Sequence, residues 1–249
     1  MTFDLSIIQW LLIFFTALLI GLAKTGIPAL GILVVTMMAM IFPARDSIGI
    51  VLPMLIIGDL VAVTYYRRSV EWKLLWRLVP WVLGGIVLGF LLLFTVTDSR
   101  AIEVILGIII SSMVVLQIKK EFSSSNSDQK VPRSRFFLVF MGTLGGFTTM
   151  IGNAAGPVMA IFFIAMALPK TQFIGTGAWF YLTVNLIKVP LLFSLGLISG
   201  NSLTLNAMML PAILIGTAIG VRLVPLIPQQ RFNQIVLLLS FAGALALLI

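Results

Sequence analysis

The chain has 249 residues, a mean hydropathy of +1.17, 60% hydrophobic residues and only 10% charged ones. That balance excludes a soluble domain and describes an all-α, polytopic membrane protein. Cys and His are both absent, which excludes thiolate or imidazole metal sites, disulfides and cysteine nucleophiles, and removes the commonest general base. The chain is therefore read as a non-enzyme with no metal and no cofactor. A net charge of +8 would suggest nucleic acid in a soluble protein. Here the Lys and Arg excess clusters in a few loops, where it sets orientation, so no nucleic-acid partner is expected.

Ten apolar segments follow in order, at roughly 5–22, 27–42, 47–66, 79–95 and 101–118, then 136–150, 157–168, 173–192, 205–221 and 232–249. The first begins without a basic region or a small-residue cleavage site and reads as a retained helix, not a signal peptide. It runs into Gly21-Leu-Ala-Lys-Thr-Gly-Ile-Pro-Ala-Leu-Gly31, where glycine and proline interrupt the helical hydrogen-bond ladder. Lys24 lies in this break, either as a surface topology signal or reaching into a cavity; the signal reading is preferred. Segment 47–66 carries Asp59 near its middle. Ser69–Arg77, with Trp72 and Trp76 beside Lys73 and Arg77, fits a short interfacial helix. The polar stretch 119–135, with its serine-rich core, reads as a solvated linker.

The second half opens with Gly145-Gly-Phe-Thr-Thr-Met-Ile-Gly-Asn-Ala-Ala-Gly-Pro157, a second break. A spanning helix needs about 20 residues. Segments 136–150 and 157–168 are shorter, so the first pair in each half reads as a hairpin stopping partway through the bilayer. Eight crossings with parallel halves is the alternative. Asn185 and Lys188 follow on one face of segment 173–192.

The halves match at two offsets. Gly26, Pro43, Ile48 and Gly49 recur 126 residues later as Gly152, Pro169, Ile174 and Gly175. Pro80, Gly85, Gly89 and Arg100 recur 131 residues later as Pro211, Gly216, Gly220 and Arg231, and Asp59 falls on Asn185. Repeat one is then 5–118 and repeat two 136–249, in one transmembrane domain spanning 1–249. Basic loops at Arg67–Arg77 and Lys119–Arg135 are two segments apart and share a side, taken as the cytoplasm. The counterpart of the first basic loop, 193–204, is uncharged and faces out. Two inverted-topology repeats of about five segments follow, each opening on a glycine-broken helix, as in secondary transporters.

Broken helices inside lipid occur where they line protein or a watery cavity, and a helix N-terminus there is a seat for an anion. Gly85–Gly89 and Gly216–Gly220, in intact helices, read instead as close packing. A charge at the bilayer centre costs on the order of 3 kcal/mol, so it usually faces the interior and has a role. A mutual Asp59–Lys188 ion pair, or snorkelling of Lys188 to the outer surface, are the structural alternatives.

These residues resemble the sulfite exporter TauE/SafE family, also described as sulfonate permeases. The likeness rests on the paired breaks, the repeated Pro43…Gly49 and Pro169…Gly175 spacing, the Pro80…Gly89 and Pro211…Gly220 helices, the Trp72 loop and the Arg100 and Arg231 helix starts. The first break departs from the family's denser glycine run, which bears on the substrate. The resemblance implies a permease for small sulfur-containing or carboxylate anions such as sulfite or organosulfonates; the expected location, with no targeting peptide evident, is a bacterial plasma membrane. It carries over no binding residues. The charges and breaks assign the anion to Lys188, Asn185, Asn153, Thr148 and Thr149, with the backbone at Gly152 and Gly26, and proton coupling to Asp59. Partners are then the lipid bilayer and a small anion. A passive anion channel and a non-transporting assembly partner are the alternatives.

Overall fold

The computed structural model describes residues 5–123 and 134–248. Among these residues there are ten α-helices and no strand. They are α1 (Ile7–Thr25), α2 (Gly31–Ala39), α3 (Ala44–Tyr66), α4 (Trp72–Thr95), α5 (Ser99–Ser123), α6 (Arg135–Gly152), α7 (Ala155–Ala165), α8 (Lys170–Ser194), α9 (Gly200–Leu223) and α10 (Gln229–Leu248). Short 3-10 turns lie at Pro28–Leu30 and Val224–Leu226. Six helices (α1, α3, α4, α6, α8 and α9) are long and apolar enough to cross a bilayer, so this is a multi-pass membrane protein. By contrast α2, at nine residues, extends only about 14 Å, roughly half the hydrocarbon core.

Local sequence explains where helices begin. Ser6 caps α1 by accepting from the Gln9 N–H, while Gln9 Oε1 accepts from the Ser6 N–H at 2.9 Å, a reciprocal arrangement that satisfies two otherwise orphaned donors. Ser199 and Ser202 do the same for α9. Proline at positions 53, 80, 190 and 211 lies inside helices without ending them, as neighbouring helices permit in membranes.

Two tight helix pairs are built on glycine. A methyl group on Gly85 of α4 would lie 2.0 Å from the Thr143 carbonyl oxygen of α6, and one on Gly146 would lie 2.0 Å from the Val82 carbonyl. In the pair α1–α9, a methyl on Gly216 would lie 2.0 Å from the Leu18 carbonyl, and one on Gly21 2.2 Å from that of Ile213. The backbones touch because no side chain intervenes, which is how membrane helices gain packing without a hydrophobic drive. Over the longer stretches from Trp81–Gly142 to Gly89–Met150, and from Leu18–Gly216 to Thr25–Gly220, residue numbers rise together, so each pair runs parallel.

Contacts sort the loops into two ends. At one end Gly175 of α8 approaches the Ser69 carbonyl. Beside it Lys170 Nζ donates to the carbonyls of Val224, at 2.7 Å, and Ile227. Arg67, Arg68, Lys73, Arg77, Lys170, Arg222 and Arg231 therefore gather at this end. At the other, Arg45 donates to the Leu93 carbonyl at 3.2 Å, Gly49 meets the Leu197 carbonyl, and Arg100 donates to that of Leu248 at 2.8 Å. The chain turns back between α1 and α2, which lie side by side where Thr16 Oγ1 is 3.9 Å from Met37 Sδ. α7 returns along α6 in the same way, its Phe162 ring 5.8 Å from that of Phe137.

One expected element is corrected. Residues 72–77 are not a separate interfacial helix but the first turns of α4, continuous to Thr95. Pro80 sits inside a helix whose ladder carries on past it, so the apolar run alone placed the start too late. Of the expected linker 119–135, residues 119–123 continue α5 and 124–133 lie outside the described residues.

Gly85→Leu is expected to force α4 from α6 and to cost at least about 1–3 kcal/mol as an overpacked contact. Gly84→Ala, where a methyl meets nothing within 4 Å, is expected to change stability by less than about 0.5 kcal/mol. Thermal unfolding of both variants in detergent checks this.

Candidate functional site

Both breaks have identifiable backbone causes. α1 stops at Thr25 because Gly26 leaves helical geometry, at φ −132° and ψ −89°. A methyl there would lie 2.6 Å from the Leu22 carbonyl oxygen. α6 stops at Gly152 because Asn153 turns left-handed, at φ 54° and ψ 22°, a conformation asparagine tolerates better than most residues. The Asn153 and Ala154 N–H groups then close the helix end onto the Thr149 and Thr148 carbonyls at 3.0 and 3.2 Å. The two breaks meet in space: a methyl on Gly156 would lie 2.6 Å from the Pro28 carbonyl oxygen.

Three ionisable side chains converge around this meeting, Asp59 and Lys188 buried and Lys24 nearly so. Lys24 Nζ, in the last turn of α1, lies 2.8 Å from Asp59 Oδ1 of α3. The contact is an ion pair. Asn185 Nδ2 of α8 donates to Asp59 Oδ2 at 2.7 Å, which engages both carboxylate oxygens. Lys188 Nζ, one turn on, donates to the Thr149 carbonyl at 2.6 Å and reaches Thr149 Oγ1 at 3.3 Å and Asn153 Oδ1. Asn153 is oriented in turn, since its Nδ2 donates to the Ile48 carbonyl at 2.9 Å. Lys188 thus caps the C-terminal end of α6, where a cation also meets the negative pole of the helix.

Neutral groups tune these charges. The Lys24 ammonium sits 4.4 Å from the centre of the Tyr181 ring, a cation–π contact. Its stem packs on Gly58, where a methyl would lie 3.0 Å from Lys24 Cγ. The Tyr66 hydroxyl donates to the Thr25 carbonyl at 3.1 Å, satisfying an acceptor at the open end of α1. Between the breaks lies a partly open space of about 30 Å³, bordered by Lys24, Pro28, Gly31, Thr149, Asn153, Gly156, Tyr181 and Asn185. It has room for about two waters. The Tyr181 hydroxyl is buried without a hydrogen-bond partner.

The residues expected from sequence divide accordingly. Asn153, Thr149 and Asn185 border the cavity. Lys188 stands behind them and holds Thr149 and Asn153. Thr148 turns its hydroxyl to the Leu144 carbonyl at 2.8 Å. Gly152 and Gly26 are packing positions, against Leu106 and against Val224 and Gly220. Asp59 is fully buried. Snorkelling of Lys188 is overturned, because that side chain is 0% exposed. The Asp59–Lys188 pair is replaced by Asp59–Lys24.

Lys24 is the larger correction. It is not a surface topology signal; its side chain is 9% exposed and neutralises Asp59. Nothing in linear spacing links positions 24 and 59, although Gly58 beside the acid marks where the stem passes. Tyr181 was also missed. The available clue was helical spacing, since Tyr181, Asn185 and Lys188 follow at i, i+4 and i+7 on one face of α8.

No curated protein and no solved structure matches the chain. A family described as Sulfite exporter TauE/SafE matches residues 13–247, a stretch that runs from α1 into α10 and includes both breaks and every charged group of the site. The chain belongs to the sulfite exporter TauE/SafE family.

Proposed function

We propose that this protein is a secondary transporter that moves a small sulfur-containing or carboxylate anion by alternating access, binding it where the two breaks meet. The observation that carries this reading is the buried charge set. Lys24 borders the space between the breaks, with Asp59 and Lys188 packed behind its lining and half-helices ending beside them. Buried charges of this kind are costly unless paired, and in membranes they mark substrate and ion pathways. An excess of cationic groups suits an anion. The unpartnered Tyr181 hydroxyl and the amide groups of Asn185 and Asn153 suit its oxygens.

Inverted repeats support alternating access. The glycine contacts of α4 with α6 have counterparts in those of α9 with α1, and Pro80 and Pro211 occupy matching places in α4 and α9. Asp59 and Asn185, equivalent at the repeat offset, bond to one another. Equivalent residues touch in this way on a two-fold axis. The end that gathers Arg67, Arg68, Lys73 and Arg77 is assigned to the cytoplasm by the positive-inside rule, in a bacterial plasma membrane. Rocking of one repeat against the other then exposes the same site to either side.

Lys188→Gln removes the cation that holds Thr149 and Asn153. It is expected to abolish sulfite flux in proteoliposomes while leaving the protein folded in detergent; flux at the unaltered rate refutes the site. Accumulation against a gradient by the unaltered protein distinguishes a carrier from a passive channel. The Lys24–Asp59 pair generates a separate expectation. Asp59→Leu strands a buried lysine and should cost about 3–5 kcal/mol, whereas Lys24→Met with Asp59→Leu should recover most of that loss. Thermal unfolding of the single and double variants measures the difference.

A further inference from the structure

The three charges are not equivalent. Lys24 and Asp59 neutralise one another, and the carboxylate is held on both oxygens. Lys188 is 0% exposed and has no carboxylate of its own. Its contacts are a carbonyl, a hydroxyl and an amide oxygen. The charged groups facing it are Lys24 of α1 and Asp59 of α3, already committed to each other. From α6 and its break come only Thr149 and Asn153. Asn153 cannot turn to meet it differently, because its amide nitrogen is bound to Ile48.

This arrangement has a consequence for a carrier that must return empty. An ammonium at position 188 would leave the empty site with one uncompensated positive charge in the bilayer core, which is strongly unfavourable. A neutral amine leaves it with none. When a monovalent anion binds, the ammonium becomes the favourable form, because it is now paired. We propose that Lys188 carries the coupling proton. The amine takes a proton from water on the side where the anion enters, crosses as an ammonium–anion pair, and returns the proton to water where the anion leaves. One proton then moves with each monovalent anion, and the site is neutral in both crossing forms. A lysine can do this because its pKa responds to its surroundings; an arginine stays charged. The proposal rests on the transport reading above and moves the coupling role from Asp59, which is locked in its ion pair, to Lys188.

The test uses the full chain in proteoliposomes, with radiolabelled sulfite and methanesulfonate as probes. With methanesulfonate, a monoanion at any working pH, the unaltered protein should show flux without net current and deliver one proton per anion, read with an internal pH dye. Flux that carries a net current overturns the coupling proposal and leaves the transport reading standing. If neither probe moves, the transport reading fails and this inference with it. Lys188→Arg should retain anion-for-anion exchange, since the loaded site stays neutral, and lose net uptake, since the empty site stays charged. Net uptake by this variant overturns the proposal. So does loss of exchange in a variant that keeps the unaltered unfolding profile. Should Lys188→Arg fail to fold, the current and proton count of the unaltered protein decide the matter.

Discussion

The link Lys24–Asp59–Asn185 holds together the part of the molecule on which everything else depends. It ties α1, α3 and α8 deep inside the protein, with the carboxylate fully buried. A charge in that setting needs a partner fixed by the fold, because the desolvation cost of a lone ion amounts to several kcal/mol. Each member of the link therefore constrains an element. Lys24 must stand at the end of α1, so α1 must stop there. Asn185 must face α3, so the same face of α8 presents Lys188 one turn later. The site is in this sense a by-product of satisfying one buried acid.

Glycine does the complementary work. Charges can meet at the centre only if the surrounding helices come close enough to exclude lipid, and the backbone contacts at Gly85, Gly146, Gly21 and Gly216 bring them there. Gly58 and Gly156 act at a smaller scale. One admits the stem of Lys24 beside Asp59, and the other lets the second break touch the first at Pro28. Packing and electrostatics are thus coupled. A side chain at any of these positions would separate the helices whose approach makes the ion pair affordable.

Much of the fold was legible because a membrane imposes few options. Ten apolar segments correspond to the ten α-helices among the described residues, with α1 ending at Thr25 and α6 at Gly152. The misreadings have physical causes. Helix starts at Trp72, Lys170 and Gly200 precede the apolar runs, since an interfacial helix turn tolerates polar residues that a hydropathy reading discards. Lys24 misled because a lysine near a helix end is ordinarily a surface residue. Only the return of the chain past α3 reveals that this end is inside the protein. Asn153 was recognised as a polar group in the break, but its left-handed backbone, which creates the break, has no marker beyond its residue type.

Composition by itself determined the class of molecule. A chain this apolar must satisfy its backbone within helices, and the loops carrying Arg and Lys must lie outside the bilayer. The charges determined that something ionic would lie within. Which charge meets which was decided only by tertiary structure. Asp59 lies 35 positions from Lys24 and 126 from Asn185, and partners so far apart are chosen by helix packing. Local propensity and periodicity act over a few residues, whereas a buried ion finds its counter-charge through the geometry of the whole bundle.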